Sequence, residues 1–194
     1  YKDEVDANKN PTGKRVTTND YGSADYYYVD KSSLPKVYGG FNTSLSWKGF
    51  DLSAIFAYSI GGYIYNRDVT MILHNGSLEG RDWSTEILRR WTPDNRYTDV
   101  PALSTTSNNW NSASTRFLQN NSYMRLKNLT LSYNLPKQWI SKLSLSSVQV
   151  YVQGDNLFTI HRNQGLDPEQ GITGITYYRY PAMRTISGGI NVSF

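Results

Sequence analysis

The chain has 194 residues, 38% hydrophobic and 14% aromatic with 16 tyrosines, a formal net charge of +4 and no cysteine. Richness in Asn, Ser, Thr and Gly favours strands and turns over helices, and the longest apolar run, Leu52 to Ile60, is broken by Ser53 and Ser59, well short of the roughly 18–20 residues of a membrane helix. Disulfides and thiolate zinc sites are excluded, and the scattered basic residues make no stripe for a phosphate backbone, so nucleic acid is not an expected partner. The chain opens on Tyr1 rather than Met with no signal-like apolar core behind it, which predicts a processed or partial product.

Residues 1–37 read as a polar loop, with turn formers Asn10-Pro11, Thr12-Gly13 and Asn19-Asp20 and no apolar period. Alternation starts at Tyr38: Phe41, Thr43, Leu45 and Trp47 share one face, and Asn42, Ser44, Ser46 and Lys48 the other. A tight Lys48-Gly49 turn leads to Phe50, Leu52, Ala54, Phe56, Tyr58 and Ile60 on one face, giving a hairpin over 38–61. Residues 62–121 form a long link. One short helix is expected there, with Trp83, Ile87, Leu88 and Trp91 on a common face, Asp82 as N-cap and Pro93 as terminator.

The third strand runs from about Tyr123 to Asn134, with Leu129, Leu131 and Tyr133 in phase. Arg125 and Lys127 fall in that same phase, so the strand either carries a bulge or rises above the apolar zone. After a compact connection at Pro136 to Leu143, Val148, Val150 and Val152 mark a fourth strand, interrupted by Gly154-Asp155-Asn156. The two strands and their connection occupy 122–158. A polar loop over 159–180 leads to a terminal strand over 181–194, where Ile186, Gly188, Ile190, Val192 and Phe194 share a face.

Link lengths alternate: two residues, about sixty, about ten, then more than twenty. Successive links of an up-and-down barrel fall on opposite rims, and outer-membrane barrels keep periplasmic turns short and extracellular loops long. The strands approach the length of a tilted transmembrane strand. Their apolar faces carry no acidic residue, and Tyr38, Trp47, Tyr58, Tyr123, Tyr133 and Trp139 suit interfacial girdles. The pattern predicts an all-β antiparallel transmembrane β-barrel in the outer membrane, in contact with outer-membrane lipid. Five strands are too few to close, since the smallest barrels have about eight. A secreted β-sandwich, such as a carbohydrate-binding module, also alternates in this way but gives no reason for links alternating in register.

Several stretches carry a family likeness: Leu34-Pro35-Lys36-Val37-Tyr38-Gly39-Gly40-Phe41, Trp47-Lys48-Gly49-Phe50-Asp51-Leu52, Arg90-Trp91-Thr92-Pro93-Asp94-Asn95 with Thr98-Asp99-Val100-Pro101, Tyr123 to Tyr133, Gly154-Asp155-Asn156-Leu157-Phe158-Thr159, Gly165-Leu166-Asp167-Pro168-Glu169, and the final strand. In order and spacing they resemble the C-terminal part of SusC/RagA-type TonB-dependent transporters of Bacteroidetes. The resemblance implies the last five strands of a plugged barrel of about 22 strands. It also implies uptake of oligosaccharides or peptides, a SusD-like surface lipoprotein as partner, and TonB contacted through a portion outside this sequence. Ile186, Ile190, Val192 and Phe194 resemble a barrel-insertion signal, with Val192 where an aromatic often stands. A passive or adhesive barrel is the alternative.

The sequence contains no Gly-x-Ser-x-Gly elbow and no phosphate-binding glycine loop, so neither an enzyme nor a cofactor is expected. His74 and His161 lack metal-ligand spacing. Asp167 and Glu169 flank Pro168 and suit calcium, but turn formation explains them as well and is preferred. Trp83, Trp91 and Trp110, with Asn108 and Asn109, are the candidates for substrate contact, because flat aromatics stack on sugar rings or peptide side chains and amides bond their polar groups. Packing within the link competes with that role.

Overall fold

A computed structural model of the chain describes residues 2–18, 20–76, 78–104, 106, 109–163, 165, 167–169 and 171–194, and of Asn109 and Leu143 the backbone alone. Among these the elements run β1 (Lys2–Val5), β2 (Pro11–Val16), β3 (Val37–Trp47), β4 (Phe50–Ile60), β5 (Tyr63–Asn66), α1 (Arg67–Ile72), β6 (Leu118–Asn120), β7 (Tyr123–Asn134), α2 (Lys137–Ile140), β8 (Ser147–His161), β9 (Ile175–Thr176) and β10 (Thr185–Ser193), with short 3-10 turns between. They fall into two compact units: 1–31, 65–118 and 175–177 form one, 32–64, 119–174 and 178–194 the other.

The second unit is built on a five-stranded antiparallel sheet in the order β10-β8-β7-β4-β3. Chain neighbours in this order are also spatial neighbours, as in a meander. The β3–β4 hairpin closes on Lys48 (φ 47) and Gly49 (φ 89), both left-handed, as the turn that matches strand twist requires. A Cβ on Gly49 would lie 3.1 Å from the Asn134 carbonyl oxygen, so glycine answers here to both conformation and space. Registry then propagates across the sheet: Leu45 faces Leu52, Leu52 faces Leu131, Leu131 faces Val152, and Val152 faces Gly188.

The phase conflict at Arg125 and Lys127 resolves as a bulge. Asn128 pairs with Ile55 and Leu126 with Phe56, leaving Lys127 outside the β4 ladder. The same irregularity on the other side sets Asn128 opposite Asp155 and Leu126 opposite Phe158, with Asn156 at φ 53. One extra residue reverses the alternation. Leu126 and Met124 therefore rejoin the apolar face, and Arg125 turns to the polar one. β8 runs through Gly154-Asp155-Asn156 to His161, longer than the interruption at those turn formers had suggested.

The first unit departs further from expectation. Residues 1–37, read as a loop, contain the β1–β2 hairpin with Lys2 opposite Val16 and Asp3 opposite Arg15. It is almost wholly exposed, so it has no buried face to leave an alternating signature. In the long link, Asn66 caps α1 by accepting from the Val69 amide at 3.1 Å, and β5 pairs in parallel with β9 through Tyr65–Ile175 and Asn66–Thr176. The expected helix is a 3-10 turn, Thr85–Arg89, capped not by Asp82 but by Ser84, whose hydroxyl accepts from the Glu86 amide at 3.3 Å. It buries Ile87 and leaves Leu88 exposed. Trp91 lies beyond it.

Substituting Gly49 by Val is expected to destabilise the hairpin by about 1–3 kcal/mol. The comparison is denaturant unfolding of the whole protein, with Gly76→Val, also at positive φ but without a contact inside 3.7 Å, as reference for the conformational part. Equal losses at both sites would show that the Asn134 approach contributes nothing.

Candidate functional site

Buried apolar residues of the sheet unit are few: Ala54, Ile64, Leu126 and Ile140 among the described residues. Most of the other large apolar side chains of its strands face outward in one band, Ile55 lying on the opposite face. Phe41, Leu45 and Trp47 on β3 join Phe50 and Leu52 on β4, Leu131 on β7, Val150, Val152 and Phe158 on β8, and Ile186, Ile190 and Val192 on β10, all exposed. Phe41 stacks on Phe56 at 4.6 Å between centroids, and Phe50 meets Tyr133 at 4.5 Å. Leu45 is 66% and Ile190 64% exposed, and Phe194 lies just past β10. An apolar patch of this extent is not a surface left to water.

The opposite face is hydrogen-bonded polar chemistry. Asn191 donates to Gln149 (3.2 Å), Gln149 to Ser132 (3.2 Å), Asn134 to Asp51 (2.7 Å) and Asn128 to Asp155 (2.8 Å). Its acidic residues are thus engaged by neutral donors on adjacent strands.

Above the bulge this polar face carries a buried ionic clamp. The Arg125 side chain, 4% exposed, donates to Asp167 (2.5 Å), Glu169 (2.8 Å) and the Thr159 hydroxyl (2.9 Å). Lys127 reaches Glu169 at 2.5 Å. Asp167, 6% exposed, also accepts from the backbone amides of Glu169 (2.9 Å) and Ala182 (2.6 Å), and Asn121 donates to the Pro168 carbonyl at 2.8 Å. Asp167-Pro168-Glu169 is therefore the turn that composition favoured, with its carboxylates turned to arginine and lysine. No group of metal-ligating side chains occurs among the described residues. Burial pushes the Asp167 carboxyl up, but the Ala182 amide, the Arg125 guanidinium and the Glu169 amide outweigh it and hold it below 3.8.

In the first unit the sequence candidates do not converge. Trp83 donates from Nε1 to His74 Nδ1 at 3.0 Å and lines a cavity of about 620 Å³ with His74, Leu78 and Leu103. Trp110 donates to the Leu73 carbonyl and lies under the Arg116 guanidinium at 3.3 Å. Trp91 bonds through its backbone amide to Val100 O, and neither it nor Trp110 lines the Trp83 cavity. Asn108 and the Asn109 side chain lie outside the described residues. His161 Nδ1 contacts the Asn163 carbonyl oxygen at 3.0 Å, a local loop contact.

A cavity of about 870 Å³ in the first unit is lined instead by Tyr21, Tyr26, Tyr27, Tyr28 and Tyr65. Arg15 sits 3.4 Å over the Tyr27 ring. The Asp3 carboxylate, accepting from the Tyr27 hydroxyl at 2.8 Å, raises that phenol's pKa. Sequence reading passed over these residues as loop; the Tyr26-Tyr27-Tyr28 run was the available signal.

Fold and site define a class: an all-β chain on an antiparallel meander, apolar on an exposed face and polar on the other. No protein-family model matches the chain. TonB-dependent receptor P3 of Formosa agariphila is 34% identical over 166 residues, 80% of this chain and 16% of the receptor. Receptor P26 of the same organism is 30% identical over 184 residues, covering 89% and 18%, and TonB-dependent receptor SusC of Bacteroides thetaiotaomicron is 27% identical over 198 residues, covering 100% and 19%. The RagAB peptide importer in its closed-closed state superposes with TM-score 0.81 at 36% identity, over 98% of this chain and 20% of that one. Its open-open state gives 0.77 at 32%. This chain belongs to the SusC/RagA-type TonB-dependent transporter family and corresponds to under a fifth of the length of the curated relatives it matches.

Arg125→Met is expected to strand the Asp167 charge, at a cost of roughly 3–5 kcal/mol, and to release the segment after β8 to limited proteolysis. A folded-state pKa below the unfolded value stabilises above the unfolded value and is lost as pH falls through the folded one. Protection of the segment should therefore hold at neutral pH and fade progressively only at acid pH, as it falls through the lowered Asp167 value. Protection lost already between pH 7 and 5 would remove Asp167 as its source.

Proposed function

We propose that this chain is part of a TonB-dependent outer-membrane importer, and that β3, β4, β7, β8 and β10 are five staves of a barrel of about 22 strands. The observation that carries this reading is the unbroken apolar band on five registered strands, backed by a hydrogen-bonded polar face. In lipid every backbone group must pair within the protein, which a closed sheet alone achieves among β structures. The apolar face meets lipid and the polar face the lumen. The Lys48-Gly49 turn and the α2 connection lie at the periplasmic rim, and the links 61–122 and 162–184 at the extracellular one.

The cargo is an oligosaccharide or peptide, captured with a SusD-like surface lipoprotein and released by TonB acting through parts of the protein outside this sequence. The tyrosine-lined cavity supplies stacking faces and hydroxyls suited to either ligand and joins Trp83, Trp91, Trp110, Asn108 and Asn109 as candidate contacts. No catalytic role is assigned; the relatives are receptors.

Two outcomes follow for experiment. Leu131→Arg, on the apolar face, should lower the folding free energy by roughly 2–4 kcal/mol if it lies near the bilayer midplane, whereas Thr130→Arg, one residue away on the polar face, should be much milder. Heat-modifiable gel mobility of the full-length protein in outer-membrane fractions reports this; equal defects would sink the lipid assignment. For transport, deletion of the full gene should abolish uptake of one glycan or peptide class, and complementation with the wild type should restore it. Growth and uptake unchanged on every such nutrient would remove the importer reading.

A further inference from the structure

β8 outruns its partner β10. The final rung of that ladder is Asp155 with Thr185, while β8 continues to His161, paired there with β7 alone. The segment leading into β10 crosses beside this open edge, held by Asn156 Nδ2 donating to the Met183 carbonyl at 3.2 Å. A cavity of about 550 Å³ lies between them, lined among others by Phe158, His161, Arg179 and Arg184.

The charges around it are unequal in an informative way. Arg125 and Asp167 also reach the cavity, but each is committed to the clamp, and Asp167 accepts on both oxygens. Arg179 and Arg184 are exposed, and no carboxylate among the described residues lies within salt-bridge distance of either. Two guanidiniums at one cavity, neither ion-paired to a carboxylate among the described residues, offer a fork of donors matched to phosphate oxygens. Phe158 lines the same cavity from the apolar face, and on that face Ile160 follows two residues along β8 and Ile186 two residues beyond Arg184, the three 44%, 62% and 72% exposed.

We propose that this edge binds the phosphate of a lipid headgroup, with Arg179 and Arg184 on the phosphate and the acyl chains laid against Phe158, Ile160 and Ile186. A soluble anion has no use for the apolar residues, and an uncharged lipid has none for the arginines; an anionic lipid uses both. The inference rests on the membrane reading of the apolar band. Set at the rim where the links are long, the site takes lipid from the outer leaflet.

The test uses the full-length transporter in detergent, first checked for outer-membrane fractionation and heat-modifiable mobility. Failure of those checks overturns the membrane reading itself, independently of any lipid result. Native mass spectrometry then follows titration with phosphatidic acid, with diacylglycerol of the same chains, and with inorganic phosphate as competitor. The wild type should retain phosphatidic acid well above diacylglycerol. Retention should fall roughly 30-fold in the Arg179→Ala/Arg184→Ala pair, at about 1 kcal/mol per basic residue, and recover substantially in the Arg179→Lys/Arg184→Lys pair. Equal retention of the two lipids by the wild type overturns the proposal whether or not the variants fold. Full displacement of the lipid by millimolar inorganic phosphate overturns it too, because the site would then recognise the free anion.

Discussion

Strand period and backbone pairing together govern this chain. Side chains alternate with a period of two, so each strand of the sheet has one face to give to apolar surroundings and one to water, and pairing must bring like faces together on every neighbour. The register does so from Trp47–Phe50 on one side to Val148–Val192 on the other. A one-residue slip anywhere would interleave the two chemistries, which is why the irregularity at Lys127, matched by one in β8 at Asn156, has such large effects. It restores Leu126 and Met124 to the apolar face and rotates Arg125 into the polar one, where a buried guanidinium finds two carboxylates. The bulge thus makes the clamp possible, and the clamp fixes where the following loop crosses.

Charges in this structure are placed by the same constraint. On the polar face Asp51 and Asp155 accept from amide side chains of adjacent strands, and Arg125, which could not remain buried alone, has carboxylates on a loop distant in sequence. Its ion pairs do not need to exceed an apolar packing in stability to matter; breaking one partner away is costly whatever the intact cluster contributes. That asymmetry suits a loop required in one position.

Much of this was legible from the residues. The Phe41-Leu45-Trp47 and Phe50-Leu52-Phe56 alternations located the central hairpin, Lys48-Gly49 its turn, and the phase clash at Arg125 and Lys127 offered the bulge as one of two readings. What escaped had definite reasons. The β1–β2 hairpin buries nothing, so its residues carry no periodic hydrophobicity. Gly154-Asp155-Asn156 look like a stop, yet inside β8 they serve a bulge, with Gly154 lying under Leu157, where a Cβ would come within 2.6 Å of the side chain. The partners of Arg125 lie 42 and 44 residues away, beyond any local pattern. The tyrosine cavity gathers residues from 15 to 118, and tryptophans singled out for their chemistry prove to be separately engaged by His74, Leu73 and Arg116.

The two-residue turn at Lys48-Gly49 has a further consequence, for how such a chain changes over evolutionary time. With both residues left-handed and the ladder beginning at Trp47–Phe50, an inserted residue has nowhere to go except into the register of both strands. At the other ends of β4 and β8 the links are long, and extra residues there need not touch the ladder. Length variation is therefore channelled to one end of the sheet, so that the long links can diversify by insertion while the paired strands keep their register unchanged.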